Sequence, residues 1–349
     1  MMERLESFDS SDLMEFITAP QVKLIGTGGA GNNILDRLYN RRVKGVETIA
    51  LNTDANHLNK SRAHVRKVIG AKITQGRGAG GDPYTGKRCA EDDEESIRSK
   101  LSNGDIIFVI AGMGGGTGTG SAPVIAKYAK ETDAVVVGVA ILPFKEEGLP
   151  RRKIALEGLA ELKKNCDCVI ELDNEKLNEL TGGDYPIQKA FSVMSDLVSG
   201  IVQSLSEVVT EPSMINVDFA DLKKIIEAGG TAKVLYGESD GSDPGSVLDS
   251  VLGNPLLGNN YKGAEAVLLH IAAGSEFAMS DCHEVLSALK YDLAEDANLI
   301  WGLRTDDSMS TKVKVVMLVS AIPESEHDLS AAEAEDELNS LGSSVPMIN

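Results

Sequence analysis

An uninterrupted run of seven small residues, GGGTGTG at positions 114–120, constrains this chain more than any other feature. It follows the apolar stretch 105–110 and precedes a pattern that predicts a helix over 122–131. Five glycines in one loop cost roughly 0.5–1 kcal/mol each in backbone entropy, which is more than a simple turn requires. Consecutive backbone N–H groups with two hydroxyls suit phosphate groups. The run therefore predicts a site for a di- or triphosphate.

A second glycine loop follows the predicted strand 22–25. Gly26, Gly28 and Gly31 have the spacing G-x-G-x-x-G and precede an apolar helical pattern. Alone, this spacing is the fingerprint of a dinucleotide site, and Asp54 lies near the expected acidic position. An NAD-dependent oxidoreductase is thus one alternative, although it leaves the run at 114–120 unexplained.

A third glycine segment has the spacing of a P-loop up to Lys87. Arg88 stands where a P-loop has the Ser or Thr that binds Mg²⁺, and no apolar strand leads into the segment. We therefore exclude a P-loop at this position.

The order of elements predicts an α/β fold. Apolar runs at 22–25, 47–51, 105–110, 134–142 and 168–172 alternate with helical patterns, including one helix over 89–101. Such continuous apolar strands predict a parallel sheet covered on both faces, like a Rossmann domain. A long apolar stripe over 187–209 predicts a central helix, and strands at 263–273, 299–303 and 312–322 with a helix at 281–292 predict a smaller α/β domain.

These patterns divide the chain into five segments. We predict an N-terminal arm over 1–20, a nucleotide-binding domain over 21–185 and a central helix over 186–211. A C-terminal α/β domain over 212–322 and an acidic tail over 323–349 complete the chain.

Charge and composition exclude several classes of partner. The formal net charge of −19 argues against nucleic acid and against anionic lipid, because both require clustered Lys and Arg. No run approaches the roughly 18–20 apolar residues of a membrane span, so direct membrane insertion is not expected. The four cysteines have no zinc or CxxC spacing and are interpreted as small buried residues, and no metal site is predicted from protein ligands alone.

Several motifs together resemble the tubulin/FtsZ superfamily, in particular FtsZ proteins of archaeal type. The run at 114–120 is similar to the family signature [G/A]GGTG[S/T]G, and the resemblance extends from about residue 20 to 322. It includes GGAGNN at 28–33, NTD at 52–54, GRGAGGDP at 76–83, NEKL at 174–177 and NVDFADL at 216–222. The implied fold is a GTPase domain, a central helix and a smaller C-terminal domain.

The resemblance implies a role for each matching position. The phosphates would be held by Gly28, Gly29, Ala30, Gly31, Asn32 and Asn33 and by Gly114, Gly115, Gly116, Thr117 and Gly118. The loop over 76–82, which includes Gly78, Ala79, Gly80 and Gly81, would face the γ-phosphate, and Asp54 would also belong to the nucleotide site. Ribose and the α-phosphate would contact Glu147 and Arg151.

Guanine would bind Asn33 and Asn174 and stack on Phe191. The family commonly has Asp or Asn four residues after this Phe; this chain has Ser195 there, followed by Asp196. Without the resemblance, plain core packing is the favoured interpretation of Phe191.

An acidic pair, Asp218 and Asp221, permits two interpretations. Its spacing before an apolar helical pattern is typical of a helix N-cap. The resemblance implies that Asp218 and Asp221, with Asn216, are presented to the nucleotide of a neighbouring subunit, where they orient the attacking water and help to place a cation.

The implied function is that of a GTPase that polymerises head to tail in cell division. GTP, GDP and Mg²⁺ are the expected ligands, and a membrane adaptor or other division proteins are expected partners. The expected location is the cytoplasm at mid-cell. A tubulin-like cytoskeletal GTPase that acts in cell shape or in regulating division is the alternative.

Overall fold

A six-stranded parallel sheet forms the larger part of the molecule. The computed structural model describes residues 20–43, 45–180, 186–228, 232–240, 244–254 and 261–322, so the predicted arm (except Pro20) and tail lie outside the described residues. The sheet has the order β3-β2-β1-β4-β5-β6. Its strands are β1 (Val22–Thr27), β2 (Val46–Asn52), β3 (Val65–Val68), β4 (Ile106–Gly112), β5 (Val135–Leu142) and β6 (Cys168–Asp173).

Strand order reverses between β1 and β4, and this reversal decides where a ligand can bind. The two strands pair side by side, with Ile25 opposite Val109, while the connections from them leave in opposite directions across the sheet. A crevice opens beyond the carboxyl ends of parallel strands at such a point. The glycine loops that follow β1 and β4 therefore meet at one edge of the sheet.

Helices cover both faces of this sheet. The helices of this part are α1 (Gly28–Arg41), α2 (Ala55–Lys60), α3 (Ala71–Thr74), α4 (Pro83–Asp92), α5 (Glu94–Leu101), α6 (Gly116–Lys130), α7 (Leu149–Lys163) and α8 (Asn174–Leu180), with a 3₁₀ turn at Lys145–Glu147. Apolar residues of α1 join the core on one face, whereas those of α4 to α7 join the core on the other.

Two sequence predictions about these helices were wrong. The single helix predicted over 89–101 is two helices, because Asp93 leaves helical geometry and its carboxylate accepts a hydrogen bond of 2.6 Å from the N–H of Gly70. The helix predicted to begin at residue 122 begins at Gly116, so five of the seven residues of the glycine run belong to α6.

The central helix α9 (Ile187–Thr210) confirms the long apolar stripe. Its buried residues belong to one continuous core with residues of both sheets, such as Leu24 of β1. Those from α9 are Met194, Val198, Ile201, Val202, Leu205 and Val208. The helix therefore packs against both parts of the molecule at once.

A mixed four-stranded sheet forms the smaller part, in the order β7-β10-β8-β9. Its strands are β7 (Lys233–Asp240), β8 (Ala266–Ala273), β9 (Asn298–Thr305) and β10 (Lys312–Ser320). The helices are α10 (Phe219–Glu227), α11 (Pro244–Leu252) and α12 (Met279–Asp292), with a 3₁₀ turn at Asp307–Met309. The predicted α/β fold with a second, smaller sheet is thus confirmed.

Sequence reasoning missed β7 and α11. Strand β7 contains Gly237 and acidic residues, which are uncommon in strands. The structure explains the glycine, because a Cβ at this position would lie 2.5 Å from the Oγ of Ser250 on α11. Close packing of α11 on the strand, rather than strand propensity, therefore explains why residue 237 is glycine.

Candidate nucleotide-binding site

A cavity of about 420 Å³ lies at the carboxyl ends of β1, β4, β5 and β6. The helix α9 closes its far side through Phe191, Met194 and Ser195. The other lining residues are Gly28, Gly29, Ala30, Asn33, Ile34, Gly112, Met113, Gly115, Gly116, Thr117, Gly118, Ile141, Pro143, Glu147, Arg151 and Asn174. Its size is within the range of small-molecule sites.

The loop after β1 is packed directly against the loop after β4. A Cβ at Gly31 would lie 2.3 Å from the carbonyl oxygen of Ile110, and one at Gly28, where φ is +73°, would lie 2.9 Å from the N of Gly118. Neither position has room for a side chain. The glycine spacing in the first loop is therefore required by contact between the two loops.

Helices α1 and α6 both begin at the cavity without a side-chain cap. Thr27 precedes α1 but its hydroxyl bonds Ser121 at 2.6 Å, and Gly115 precedes α6. The first N–H groups of a helix have no partner within the helix, and the helix dipole favours an anion beside them. Two such helix starts around one cavity make a site for phosphate groups.

The second loop is fixed by its own threonines. The Oγ1 of Thr119 accepts a hydrogen bond of 2.8 Å from the N–H of Gly114, where φ is +90°. The hydroxyl of Thr117 lies 2.6 Å from that of Thr53, which follows β2. The NTD segment after β2 is thus attached to the glycine run.

The loop over residues 76–82 lies beside the glycine run, outside the cavity lining. A Cβ at Gly116 would lie 2.8 Å from the N of Asp82. Gly78, Gly80 and Gly81 have positive φ, and a Cβ on either Gly80 or Gly81 would meet nothing within 4 Å. The cavity lining includes none of the five residues that the resemblance assigns to this part of the nucleotide site, namely Asp54, Gly78, Ala79, Gly80 and Gly81.

Two aspartates cap the helices next to this loop. The carboxylate of Asp54 accepts hydrogen bonds from the N–H groups of Asn56 and His57, at the start of α2. Asp82 caps α4, and its hydrogen bonds from the Thr85 hydroxyl and the backbone N–H groups of Thr85 and Tyr84 lower its pKa.

Two charged residues that line the cavity, Glu147 and Arg151, form an ion pair of 2.9 Å. Glu147 also accepts a hydrogen bond of 3.1 Å from the N–H of Phe144. Phe144 contacts Phe191 edge to face, with ring centroids 5.4 Å apart. Phe191 is 47% exposed, so plain core packing does not describe it. The ring lines the cavity, where a planar ligand can stack on it.

Ser195 and Asp196 point in different directions from α9. The hydroxyl of Ser195 donates to the carbonyl oxygen of Phe191 at 2.7 Å and lines the cavity. The carboxylate of Asp196 forms an ion pair with Arg37 and lies outside the lining. Asp196 is thereby directed away from the cavity.

Two buried asparagines next to the cavity have unsatisfied polar atoms. In the described part of the chain, Oδ1 of Asn174 and both polar atoms of the Asn32 side chain are buried without a hydrogen-bond partner. A buried polar group without a partner costs about 1–3 kcal/mol. Asn174 lines the cavity, so a ligand that donates hydrogen bonds would satisfy its Oδ1. Asn32 and Gly31 lie beneath the lining.

The acidic pair lies outside this cavity. Asp218 begins α10, and its Oδ1 accepts a hydrogen bond of 2.8 Å from the N–H of Asp221; Asp221 in turn accepts one of 3.4 Å from the N–H of Asp218. Asn216 accepts a hydrogen bond of 2.8 Å from the N–H of Ser213. The helix-cap geometry predicted for the pair is confirmed, and none of the three residues lines the nucleotide cavity of its own chain.

Four apolar lining residues were not predicted, namely Ile34, Met113, Ile141 and Met194. Each belongs to an apolar pattern that equally predicts core packing. In the sequence, only their closeness to a glycine loop or to Phe191 could have distinguished these four residues from core residues.

The described residues contain no group of three or more His, Cys, Asp or Glu side chains that could hold a metal ion. They also contain no helix that is both long enough and apolar enough to cross a membrane.

Comparison with known proteins assigns the chain to a family. The sequence model for the Tubulin/FtsZ family, GTPase domain, matches residues 21–182, and that for the FtsZ family, C-terminal domain, matches residues 230–323. The cell division protein FtsZ 2 of Haloferax volcanii is 42% identical over 304 residues, which are 87% of this chain and 76% of that protein. FtsZ 2 of Methanocaldococcus jannaschii is 41% identical over 306 residues, covering 86% of this chain and 80% of that protein.

Solved structures agree with this assignment. An empty FtsZ dimer of M. jannaschii matches with a TM-score of 0.82 and 36% identity, covering 90% of this chain and 93% of that one. The relatives carry the FtsZ name, so they do not favour the tubulin-like alternative or an oxidoreductase. The chain belongs to the FtsZ family of cell-division GTPases.

Proposed function

We propose that this protein binds GTP in the cavity at the edge of the first sheet and hydrolyses it only between consecutive subunits of a head-to-tail filament. One observation carries this proposal. Among the described residues that line the cavity, Glu147 is the only carboxylate, and it is already paired with Arg151. The acidic pair of the 216–221 segment lies elsewhere on the molecule. Binding and catalysis therefore belong to different faces of one chain.

The two uncapped helix starts would hold the phosphates. Helix α1 begins at Gly28 and α6 begins at Gly116, so the N–H groups of their first turns would face the phosphates, whereas the N–H of Gly114 is already bonded to Oγ1 of Thr119. The Asp54 segment lies beside the glycine run, as does the loop with Gly78, Ala79, Gly80 and Gly81. Both would contact the terminal phosphate. Hydroxyl contact between Thr53 and Thr117 links the two segments.

The end of the cavity at α9 would hold the nucleoside. Glu147 and Arg151 would contact ribose and the α-phosphate, and the exposed face of Phe191 would stack on the base. Guanine has N–H donors at N1 and N2, and adenine lacks this pair. The unsatisfied Oδ1 of Asn174 is a suitable acceptor for them, with Asn33 as a second contact. Because Asp196 is paired with Arg37, Asn174 and Ser195 would determine base choice.

The catalytic step would require the acidic loop of a neighbour. Asp218 and Asp221, with Asn216, would orient a water molecule for attack on the γ-phosphorus, the bond to the β-phosphate oxygen would break, and the carboxylates would accept the proton. Mg²⁺ supplies positive charge at the phosphates when it is bound. This ion commonly keeps several waters and binds through substrate phosphates, so the lack of a protein metal cluster in the described residues is compatible with it.

The same proposal covers organisation and location. The domains would be 21–185, 186–211 and 212–322, with an arm over 1–20 and an acidic tail over 323–349. Self-association finds support in the M. jannaschii FtsZ structure, which is a dimer. The filament would act in the cytoplasm at mid-cell, held there by a membrane adaptor or other division proteins.

Mixing two inactive variants tests the shared site. Thr117→Trp would fill the phosphate end of the cavity and leave the acidic loop intact. Asp221→Ala would bind GTP but lack part of the catalytic pair. Each variant alone should release little phosphate from GTP, and the co-assembled mixture should recover activity. Sedimentation of the same samples measures co-assembly. Co-sedimentation without recovered activity would contradict the shared site.

A further inference from the structure

The loop that carries the acidic pair is held from behind by strand β9. The N–H of Ile215 donates to the carbonyl oxygen of Leu303 at 3.1 Å, and the N–H of Leu303 donates back to Ile215 at 3.1 Å. A Cβ at Gly302 would lie 2.7 Å from Cγ2 of Val217 and 3.0 Å from the carbonyl oxygen of Ile215. The loop and the strand are thus in close backbone contact.

The next residue of β9, Arg304, connects this strand to the central helix. Its Nη2 donates to Oε2 of Glu207 on α9 at 2.9 Å, and its Nη1 donates to Oδ2 of Asp306 at 3.3 Å. The side chains of Arg304 and Glu207 are each only 15% exposed. One guanidinium group therefore joins α9 and β9 in a largely buried position.

Glu207 lies in the last turn of α9, immediately before the loop. Its backbone carbonyl oxygen accepts the final i→i−4 hydrogen bond of the helix, 3.0 Å from the N–H of Glu211, the residue that follows α9. Its Oε1 accepts a hydrogen bond of 2.6 Å from Nε2 of Gln203. The loop over 211–218 therefore starts from the helix turn whose side chain pairs with Arg304, and it is attached near its middle to the strand that contains Arg304.

We propose that Arg304 and Glu207 are positioning residues for GTP hydrolysis, because their ion pair fixes the acidic loop in the geometry that it presents to a neighbouring subunit. This inference rests on the proposed catalytic role of Asp218 and Asp221. A largely buried ion pair contributes little net stability, but loss of one partner leaves an uncompensated charge that the surroundings must move to solvate. The movement would reach the loop through Leu303 and Ile215.

Arg304 has no other evident reason to be an arginine. Its Nε is buried without a hydrogen-bond partner among the described residues, so the side chain is held by its two terminal nitrogens. Lys could retain one contact but not the planar fork that reaches Glu207 and Asp306 together. Lys at this position should therefore restore only part of the function.

The test compares Arg304→Met, Arg304→Lys and Glu207→Gln with the unmodified chain. For Arg304→Met we expect normal GTP affinity, retained sedimentation with GTP, and phosphate release per assembled subunit lowered about 10- to 100-fold, since small misplacements of a catalytic group can cost this much. KM should stay unchanged while kcat falls. Arg304→Lys and Glu207→Gln should lie between Arg304→Met and the unmodified chain.

Arg98→Met is the matched control. Arg98 also joins two carboxylates, Glu94 at the start of α5 at 2.7 Å and Glu131 directly after α6 at 2.5 Å. Its removal should leave kcat unchanged. A similar loss of kcat in Arg98→Met and Arg304→Met would contradict a specific positioning role.

A mixture separates a misplaced loop from a damaged nucleotide site. Arg304→Met retains a good site for GTP, so Thr117→Trp, which offers an intact loop, should restore its activity in mixed filaments. If Arg304→Met is unfolded by circular dichroism, Glu207→Gln replaces it in the same mixture. Unchanged kcat in both variants would overturn the inference. If Asp221→Ala also hydrolyses GTP normally, the proposed catalytic role fails instead.

Discussion

Helices α6 and α10 begin in opposite ways. Gly115 precedes α6 and offers no side-chain cap, so the first N–H groups of this helix border an open cavity. Asp218 precedes α10 and forms a reciprocal capping box with Asp221. The first N–H groups of α6 are capped only when an anion binds. At α10, side chains of the same chain already cap the helix.

The start of α6 is therefore suited to bind a ligand. The start of α10 needs no ligand, so its acidic residues are available to a second molecule. At α6, unsatisfied N–H groups and the helix dipole favour phosphate. At α10, Asp218 is exposed and makes its cap bond through Oδ1, so Oδ2 is not needed for the cap. The proposed action on a neighbour's nucleotide is therefore compatible with the role of these acids in the fold. The predictions below test each side of this comparison.

The largest expected effect is loss of hydrolysis without loss of binding. Asn caps a helix as well as Asp does, so Asp218→Asn should keep the fold while kcat falls about 10²- to 10⁴-fold. Asp218→Ala should lose the same activity and in addition about 1 kcal/mol of stability. Phosphate release and urea unfolding measure the two effects. Normal turnover by Asp218→Asn would leave the acid with its capping role alone.

Replacing Gly115, which directly precedes α6, with Val should strongly weaken GTP binding without unfolding the chain. A Cβ at Gly115 would meet nothing within 4 Å, and φ there is −97°, so Gly115→Val fits the protein but enters the cavity. Loss of two hydrogen bonds to charged phosphate, at about 1.5–3 kcal/mol each, should weaken GTP binding by about 100-fold or more.

Gly116→Val supplies the contrast for this prediction. Its Cβ would lie 2.8 Å from the backbone N of Asp82, so this variant should lose both binding and thermal stability. Titration of labelled GTP with parallel thermal melts separates the two cases. Unchanged affinity in a folded Gly115→Val would mean that the glycine run is only a turn.

Low pH should reduce the free energy of unfolding, because a histidine is buried behind the acidic loop. His270 on β8 is buried, and burial, with a smaller effect from Arg304, lowers its pKa from 6.5 to about 4. The unfolded chain binds this proton near pH 6.5 and the folded chain does not. The stability that neutral His270 provides is therefore complete above pH 6.5 and is lost as pH falls towards 4.

The loss amounts to roughly 3 kcal/mol over this range, at 1.36 kcal/mol per pH unit. His270→Gln cannot take up the proton, so its free energy of unfolding should fall less between pH 7 and pH 5 than that of the unmodified chain. Urea unfolding at both pH values gives this difference. Equal pH dependence in the two proteins would be incompatible with a buried neutral His270.

The smallest effect concerns base choice. Asn174→Ala removes the unsatisfied acceptor at the cavity and should weaken GTP binding by about tenfold, while ATP binding changes little. Ser195→Ala should have a weaker effect, because the Ser195 hydroxyl already donates to the carbonyl of Phe191. Competition with labelled GTP measures both. Equal displacement by GTP and ATP in the unmodified chain would contradict guanine selection.

The two helix starts also differ in how well sequence predicts them. The glycine run predicts a phosphate loop because five glycines in one segment have few other uses, although it could not show that Gly116 already belongs to α6. Asp218 and Asp221 predict a cap from local spacing, and the cap is present. A second role needs another molecule, and no local pattern contains that information.

Packing across the fold explains the remaining differences. Strand β7 was missed because Gly237 is set by contact with α11, and the break at Asp93 because its partner, Gly70, is distant in sequence. Arg304 directly follows the predicted strand 299–303, and its ion pair with Glu207 joins residues almost a hundred positions apart. The spacing of apolar residues along the sequence predicts helices and strands, but it does not predict long-range contacts of this kind.

Phosphate release per molecule, measured against protein concentration at saturating GTP, tests the separation of binding from catalysis most directly. If the acidic loop serves only a neighbour's nucleotide, turnover per molecule should be close to zero at low concentration. It should rise above a threshold that coincides with sedimentable assembly, and Asp221→Ala should show the assembly without the rise. Turnover that stays constant down to concentrations without assembly would contradict the account.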